Sequence, residues 1–327
     1  MRILKHICLF TLFLFISPTF ADQLIIEPDA GRAPLLNAIQ QTQSNIDLAM
    51  YGFTDEAFLR ALITAKNNHK KINVLLEPHP YQADDENNKA IRQLRAANID
   101  LQFPDKKFQL IHQKTFIFDN NTAIVMTFNL TNSSFTRERN FALIINNPDE
   151  VQEIQNVFNA DFAQKNATTI NNNLVWSPDN SREKIMKLIQ SAHTNIEMYA
   201  QDISDYNVIG ALAHAARQGI SVKILLSANP NKMHSGKFRY LQKAGVVIQN
   251  SHSLYIHAKV MIIDHQRAML GSINFTAPSL DKNRELSVMT IDPQVITPLE
   301  NTFNHDWNTS QPLQPFTTKQ RFYHERT

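Results

Sequence analysis

His112-Gln113-Lys114-Thr115-Phe116-Ile117-Phe118-Asp119 and, 145 positions later, His257-Ala258-Lys259-Val260-Met261-Ile262-Ile263-Asp264 share one pattern. Each has a histidine, a lysine two residues on, an apolar run, and an aspartate five residues past the lysine. The stretches Leu110 to Phe118 and Tyr255 to Ile263 both read as strands. Residues two apart on a strand project from one face, roughly 6 to 7 Å apart, so each segment offers an imidazole and an ammonium to one bound group.

Thr127-Phe128-Asn129 and Ser272-Ile273-Asn274 each close a further apolar run, with the asparagine 15 residues past the lysine. A hydroxyl and an amide at a strand end donate hydrogen bonds to phosphate oxygens while carrying no charge. Asp119 and Asp264 stand where the strand ends, before Asn120-Asn121 and His265-Gln266, and suit either a catalytic set or a turn. The candidate residues are therefore His112, Lys114, Asp119 and Asn129 in the first copy, and His257, Lys259, Asp264, Ser272 and Asn274 in the second. His79, His193, His214 and His234 lack a repeated context and read as surface or packing residues.

The repetition extends outward from the motif. Asn45-Ile46-Asp47, Asp55, Ala61-Leu62 and Ile72-Asn73-Val74-Leu75-Leu76 recur 150 positions later as Asn195-Ile196-Glu197, Asp205, Ala211-Leu212 and Val222-Lys223-Ile224-Leu225-Leu226. The drop in offset from 150 to 145 places five extra residues between Leu76 and His112, where Pro78-His79-Pro80 marks a loop. Runs rich in β-branched residues at Asn195 to Ala200 and Ser221 to Leu226 enclose Val208, Leu212 and Ala215-Ala216 at helical spacing, and Gly219 closes that helix. Strands alternating with helices predict an α/β fold of two similar halves, each a mixed β-sheet flanked by helices, about a pseudo-twofold axis. The expected boundaries are a leader over 1–21, repeats over 22–168 and 169–310, and a tail over 311–327 that forms a strap or a disordered end.

Arg2 and Lys5, an apolar run from Ile7 to Ile16, and Ser17-Pro18-Thr19-Phe20-Ala21 read as a secretory signal cut after Ala21, too short to span a bilayer of roughly 20 residues. The only cysteine, Cys8, lies inside it, so the mature chain offers no disulfide and no thiol nucleophile. Removing Arg2 and Lys5 takes the 32 basic residues to 30 against 30 acidic ones, a mature formal charge of zero. Charge therefore gives no footprint for nucleic acid, although Lys70-Lys71 and Lys106-Lys107 are candidates for a local basic groove. Asn129 and Asn274 each begin an Asn-x-Thr sequon, and a glycan there would block the site, which favours a bacterial export route to the periplasm or medium.

The paired His-x-Lys-x-x-x-x-Asp segments resemble the signature of the phospholipase D superfamily, and the resemblance runs from about Leu24 to Trp307. The second copy is the closer match, with Gly271-Ser272-Ile273-Asn274-Phe275-Thr276 and then Asn283-Arg284-Glu285. In the first, Met126 replaces the usual Gly, Thr127 the Ser, and Asn140 the residue matching Glu285. Loss of the glycine is expected to crowd the loop, and loss of the Glu removes a carboxylate that in the family supports a histidine.

The resemblance implies a covalent phosphohistidine intermediate, hydrolysed by water that the other histidine activates, with no metal or other cofactor. The chain has no His-Glu-x-x-His spacing. Two lysines and two asparagines neutralise phosphate oxygens, while imidazoles serve as nucleophile and acid. A carboxylate raises an imidazole's proton affinity. With Glu285 assigned to His257, His257 is expected to be the acid, and His112, oriented by the neutral Asn140, the nucleophile. The expected activity is hydrolysis of phospholipid head-group phosphodiesters at a membrane surface, with no obligate protein partner. A nuclease acting on DNA or RNA, and a non-catalytic lipid or phosphate binder, are the alternatives.

Overall fold

The computed structural model describes residues 22–228 and 236–313, so the leader expected over 1–21 lies outside the described residues. Two mixed sheets form the frame. The first takes β1 (Gln23–Glu27), β7 (Glu138–Ile145), β6 (Thr122–Met126), β5 (Thr115–Phe118), β2 (Asn45–Met50), β3 (Lys71–Leu76) and β4 (Asp100–Gln102) in that order. The second runs β16 (Gln311–Pro312), β11 (Val247–Ser251), β10 (Ser221–Ser227), β9 (Asn195–Ala200), β13 (Lys259–Ile263), β14 (Arg267–Gly271), β15 (Glu285–Thr290) and β8 (Leu174–Ser177). In both halves the helix-connected strands pair in parallel, β2 with β3 and β9 with β10, while the motif strands β5 and β13 run antiparallel to them.

Local chemistry fixes the elements in matched pairs. Helix α2 (Glu56–Asn67) begins at Asp55, whose carboxylate accepts from Ala57 N, and α6 (Tyr206–Arg217) begins at Asp205, which accepts from Asn207 N and Val208 N. Arg32 and Arg182 each pin the capping aspartate from outside. Phe58, Leu59, Leu62 and Ala65, like Val208, Ile209, Leu212 and Ala215, then bury one stripe of each helix against its own sheet. Gly219 ends α6 in the left-handed region at φ 87°.

Three apolar clusters result. One lies under the outer helices of each half, and a central one is shared. The central core joins Ile117, Phe141 and Leu143 of the first sheet to Tyr199, Ile262 and Leu286 of the second. It also takes in Val157 and Phe158 of α4 (Pro148–Phe162) and Leu299 and Phe303 of α9 (Pro293–Asn308). Each such side chain stabilises the fold by roughly 1.5–3 kcal/mol, so the halves are held together by core rather than by a linker. Of the tail, the described part is a strap: β16 pairs with the edge of β11 and Leu313 N donates to Ile248 O.

The motif segments are not straight strands, as the sequence suggested. Each leaves its own sheet at the histidine and crosses to the other half. His112 N and Gln113 N both donate to Arg284 O, and Ile111 bridges Arg284. In the other direction His257 N and Ala258 N donate to Arg139 O, and β12 (Tyr255–Ile256) pairs in parallel with β7. The exchange is locked by two equivalent buried ion pairs. Arg139 meets Asp306 at 2.7 Å, and Arg284 meets Asp161 at 2.7 Å.

Candidate active site

Because the two motif segments cross, each histidine is held by the opposite half. His112 Nδ1 lies 2.8 Å from Glu285 Oε2. A carboxylate accepts only, so Nδ1 carries the hydrogen and Nε2 is left with its lone pair facing the cleft. His257 Nδ1 lies 3.1 Å from Asn140 Oδ1. The expected pairing is thus reversed: Glu285 serves His112, and Asn140 serves His257. The alignment had matched equivalent positions, whereas the pseudo-twofold axis puts each position beside the other copy's histidine.

Lys114 and Lys259 are both 0% exposed. Lys114 Nζ donates to His112 O at 2.7 Å and lies 5.0 Å from the centre of the Tyr51 ring. Lys259 Nζ donates to His257 O at 2.6 Å and, across the axis, to Thr127 O at 2.9 Å. Burial pulls Lys114 down to about 7, against the opposing pull of Glu285, Glu86 and Glu138. Burial, and then the charge of Lys114, takes Lys259 well below the ordinary lysine range. His112 is lowered to about 4 by burial, with Glu285 opposing and both lysines adding to the fall. His257 is driven well below the usual histidine range by burial, then by Lys259, Lys114 and His112. Burial raises Glu285, but His112, Asn283 and Lys114 more than offset it and hold the carboxylate ionised. Four basic groups buried together hold their protons weakly, and a phosphate anion among them would favour their charged forms.

Asn274 lines a cavity of about 420 Å³ together with His112, Tyr51, Tyr81 and Leu110. Its Oδ1 is buried without a hydrogen-bond partner. Asn129 Oδ1 accepts from Gly52 N at 3.3 Å, which leaves its amide nitrogen free to donate.

Three candidates stand elsewhere. Asp119 and Asp264 sit at φ 51° and 52°, each followed by a second left-handed residue, in the two-residue turns that close β5–β6 and β13–β14. Asp264 accepts from His193 N, Thr194 N and Asn195 N, and Asp119 from Gln43 N, Ser44 N and Asn45 N. They tie the turns to the starts of β9 and β2, seven residues or about 23 Å of extended chain from the histidines, and are structural. Ser272 Oγ is occupied by Leu286, accepting its N–H at 3.1 Å and donating to its carbonyl at 3.3 Å, so it is not a phosphate donor. Met126 is fully buried in the core of the first half. Gly271 answers a local need of the second copy, where a Cβ would meet Leu286 O at 2.4 Å.

Sequence reading missed the supports of His112. Glu77 accepts from Ile111 N at 2.9 Å, Asn87 donates to Tyr51 O and Glu77 O, and the Tyr51 ring stands edge-on to His112 at 4.7 Å. Ser227 accepts from Ile256 N in the position matching Glu77, a difference in residue type that hid the equivalence.

The family model described as cardiolipin synthase, PLD-like domain, matches residues 35–162 and again 185–307. The chain is 23% identical over 134 residues to a mitochondrial cardiolipin hydrolase of Danio rerio, covering 40% of this chain and 59% of that one. It is 31% identical over 131 residues to a phospholipase D of Rickettsia bellii, covering 40% and 63%. The chain thus spans about three-fifths of the length of these curated relatives. Its fold matches the crystal structure of phosphatidylserine synthase from Haemophilus influenzae with a TM-score of 0.70 at 13% identity, over 89% of this chain and 87% of that one. With the family model matching both halves, and with a histidine and a lysine from each meeting at one cleft, the chain belongs to the phospholipase D superfamily.

Proposed function

We propose that this protein is a phospholipase D-type phosphodiesterase that cleaves the head-group ester of a phospholipid through a phosphohistidine on His112. The observation that carries the reading is the coupling of two imidazoles, each held at Nδ1 by the opposite half, to two buried lysines. His112 Nε2 attacks phosphorus while the P–O bond to the head group breaks and the departing oxygen takes a proton from His257. Water then attacks phosphorus, the P–N bond breaks, and the water's proton passes to His257. Lys114, Lys259, Asn129 and Asn274 hold the phosphate oxygens. The free enzyme keeps His112 neutral, as a nucleophile requires, and the bound phosphate raises His257 towards the charged form an acid needs. Tyr51, Tyr81, Leu110 and Pro278 lie among polar residues in the lining of the cleft, and lipid is preferred to nucleic acid because residues 22–327 carry no net formal charge to hold a polyanion.

The test offers the purified chain mixed phospholipid vesicles and, separately, plasmid and single-stranded DNA, with and without EDTA. Release of head group with EDTA present is the expected result; cleavage of DNA alone would transfer the site to nucleic acid. In the His257→Ala variant, a p-nitrophenyl phosphodiester should load the enzyme and leave an acid-labile adduct on His112. An adduct on His257 in the matching His112→Ala variant, with none on His112 in His257→Ala, reverses the roles. We further propose export after removal of residues 1–21; an intact mass starting at Asp22 in the exported protein is the result that supports it.

A further inference from the structure

Asn140 stands where the second copy has Glu285, yet the first copy has not lost its carboxylate. Glu138 lies two residues before Asn140, and Asn283 two residues before Glu285. The same two residue types occur in both halves in opposite order. Each pair is joined internally: Asn140 Nδ2 donates to Glu138 Oε2 at 3.0 Å, and Asn283 Nδ2 donates to Glu285 Oε1 at 3.0 Å. In the second copy the carboxylate touches the histidine and the amide stands behind. In the first the amide touches the histidine and the carboxylate stands behind.

We propose that Glu138 is the positioning residue of His257, acting through Asn140 to fix the ring's tautomer and to stabilise its protonated state. The inference rests on the phosphohistidine reading given above. A carboxylate only accepts, so the bond from Asn140 Nδ2 to Glu138 fixes the amide with Oδ1 towards His257. Oδ1 in turn requires a hydrogen on Nδ1, which leaves Nε2 to face the leaving oxygen. Thr127 Oγ1 donates to the same Oδ1 at 2.8 Å, and Ser134 Oγ donates to Glu138 Oε2 at 3.1 Å, so both members are held from a second side. Glu138 Oε2 is 3.9 Å from His257 Nδ1. The other charged groups facing this ring are Lys259, whose Nζ is 3.4 Å from Nδ1, Lys114 and His112. Glu138 stands within ion-pair distance of His257, where the Thr127 carbonyl also accepts from the ring and favours its charged form, and the charge of Glu138 reaches both lysines.

The arrangement assigns the two histidines different work. Direct contact with a buried carboxylate gives His112 a fixed tautomer and a charge partner as its nitrogen becomes bonded to phosphorus. A carboxylate set one amide away supports a proton on His257 less strongly, so the proton leaves readily for the head-group oxygen.

The test uses Glu138→Gln, which keeps the shape, removes the charge and, because a glutamine amide can donate as well as accept, no longer fixes the orientation of Asn140. Hydrolysis of an alkyl phosphodiester, whose leaving group needs a proton, should fall at least tenfold, while loading by a p-nitrophenyl diester should change less than about threefold. The swapped variant, Glu138→Asn with Asn140→Glu, copies the order of the second half and should restore the alkyl substrate. Independently of turnover, histidine-labelled protein saturated with inorganic phosphate is titrated by nuclear magnetic resonance, with His257→Ala assigning the signal. Glu138→Gln should lower the His257 pKa and lose the Nδ1–H tautomer. An unmoved His257 pKa and tautomer, or equal losses on both substrates without rescue by the swap, overturn this inference. A wild-type chain with no phosphodiester hydrolysis overturns the proposed function instead, since the titration reads the positioning role without it.

Discussion

Lys114 carries two requirements that oppose each other. The substrate needs its charge, and the folded protein makes that charge costly. The ratio kcat/KM should rise as pH climbs through about 4, where His112 loses its proton, and fall at higher pH as His257 loses the proton it must donate and then as Lys114 loses its own at about 7. An optimum on the acid side of neutrality, found from initial rates across pH, is the expected profile. The same depression affects stability with a definite sign. Between about 7 and the ordinary lysine value the unfolded chain holds a proton that the folded one does not, so this group adds stability as pH rises. Lys114→Met should therefore abolish hydrolysis and yet raise stability by on the order of 2–4 kcal/mol at pH 6, with the gain shrinking towards pH 10. Urea unfolding at the two pH values measures it.

At the scale of elements, Asp119 and Asp264 show what the sequence carried and what it did not. Their spacing from the lysines was plain, and it belongs to a strand of fixed length ending in a two-residue turn that needs left-handed residues. The chain therefore repeats the aspartate for folding, as reliably as it repeats the histidine for chemistry. Burial pushes Asp264 up, but the N–H groups of His193, Thr194 and Asn195 more than offset it and hold the carboxylate well below its usual range. That stability is present above the unfolded value and is lost as pH falls through the folded one. Asp264→Ala should lower stability by about 1–3 kcal/mol in thermal unfolding, while kcat of the folded enzyme stays within about threefold. The repeats, the α/β alternation and the helix starts were legible because each follows from residues close in sequence. The partner of each histidine was not, because no local pattern tells that a strand leaves its own sheet. Glu138 was hidden differently: in an alignment of the halves it faces Asn283, and the exchange of acid for amide is seen only beside Asn140 and Glu285.

Over the whole molecule, the halves meet through a shared core and through Arg139–Asp306 and Arg284–Asp161. Asp306 also accepts from the hydroxyl of Tyr199 at 2.7 Å, so its removal leaves that phenol and Nε and Nη2 of the buried Arg139 without their acceptor, while Asp29 and the Glu27 carbonyl still hold Nη1. Asp306→Ala should cost about 3–5 kcal/mol in denaturant unfolding and reduce activity in proportion to the loss of order at His257, whose N–H bonds to the carbonyl of Arg139.

The crossing of the motif segments also bears on when the protein becomes able to act. Glu285 is made 173 residues after the histidine it supports. A nascent or truncated chain that has completed only its first half thus holds His112 without the carboxylate that sets its tautomer and without a second histidine. On the proposed mechanism the site is complete only once β15 docks and brings Glu285 to His112. In a refolding experiment, recovery of activity should lag behind recovery of helical signal and coincide with closure of the shared core, so that the catalytic rate reports the last event of assembly.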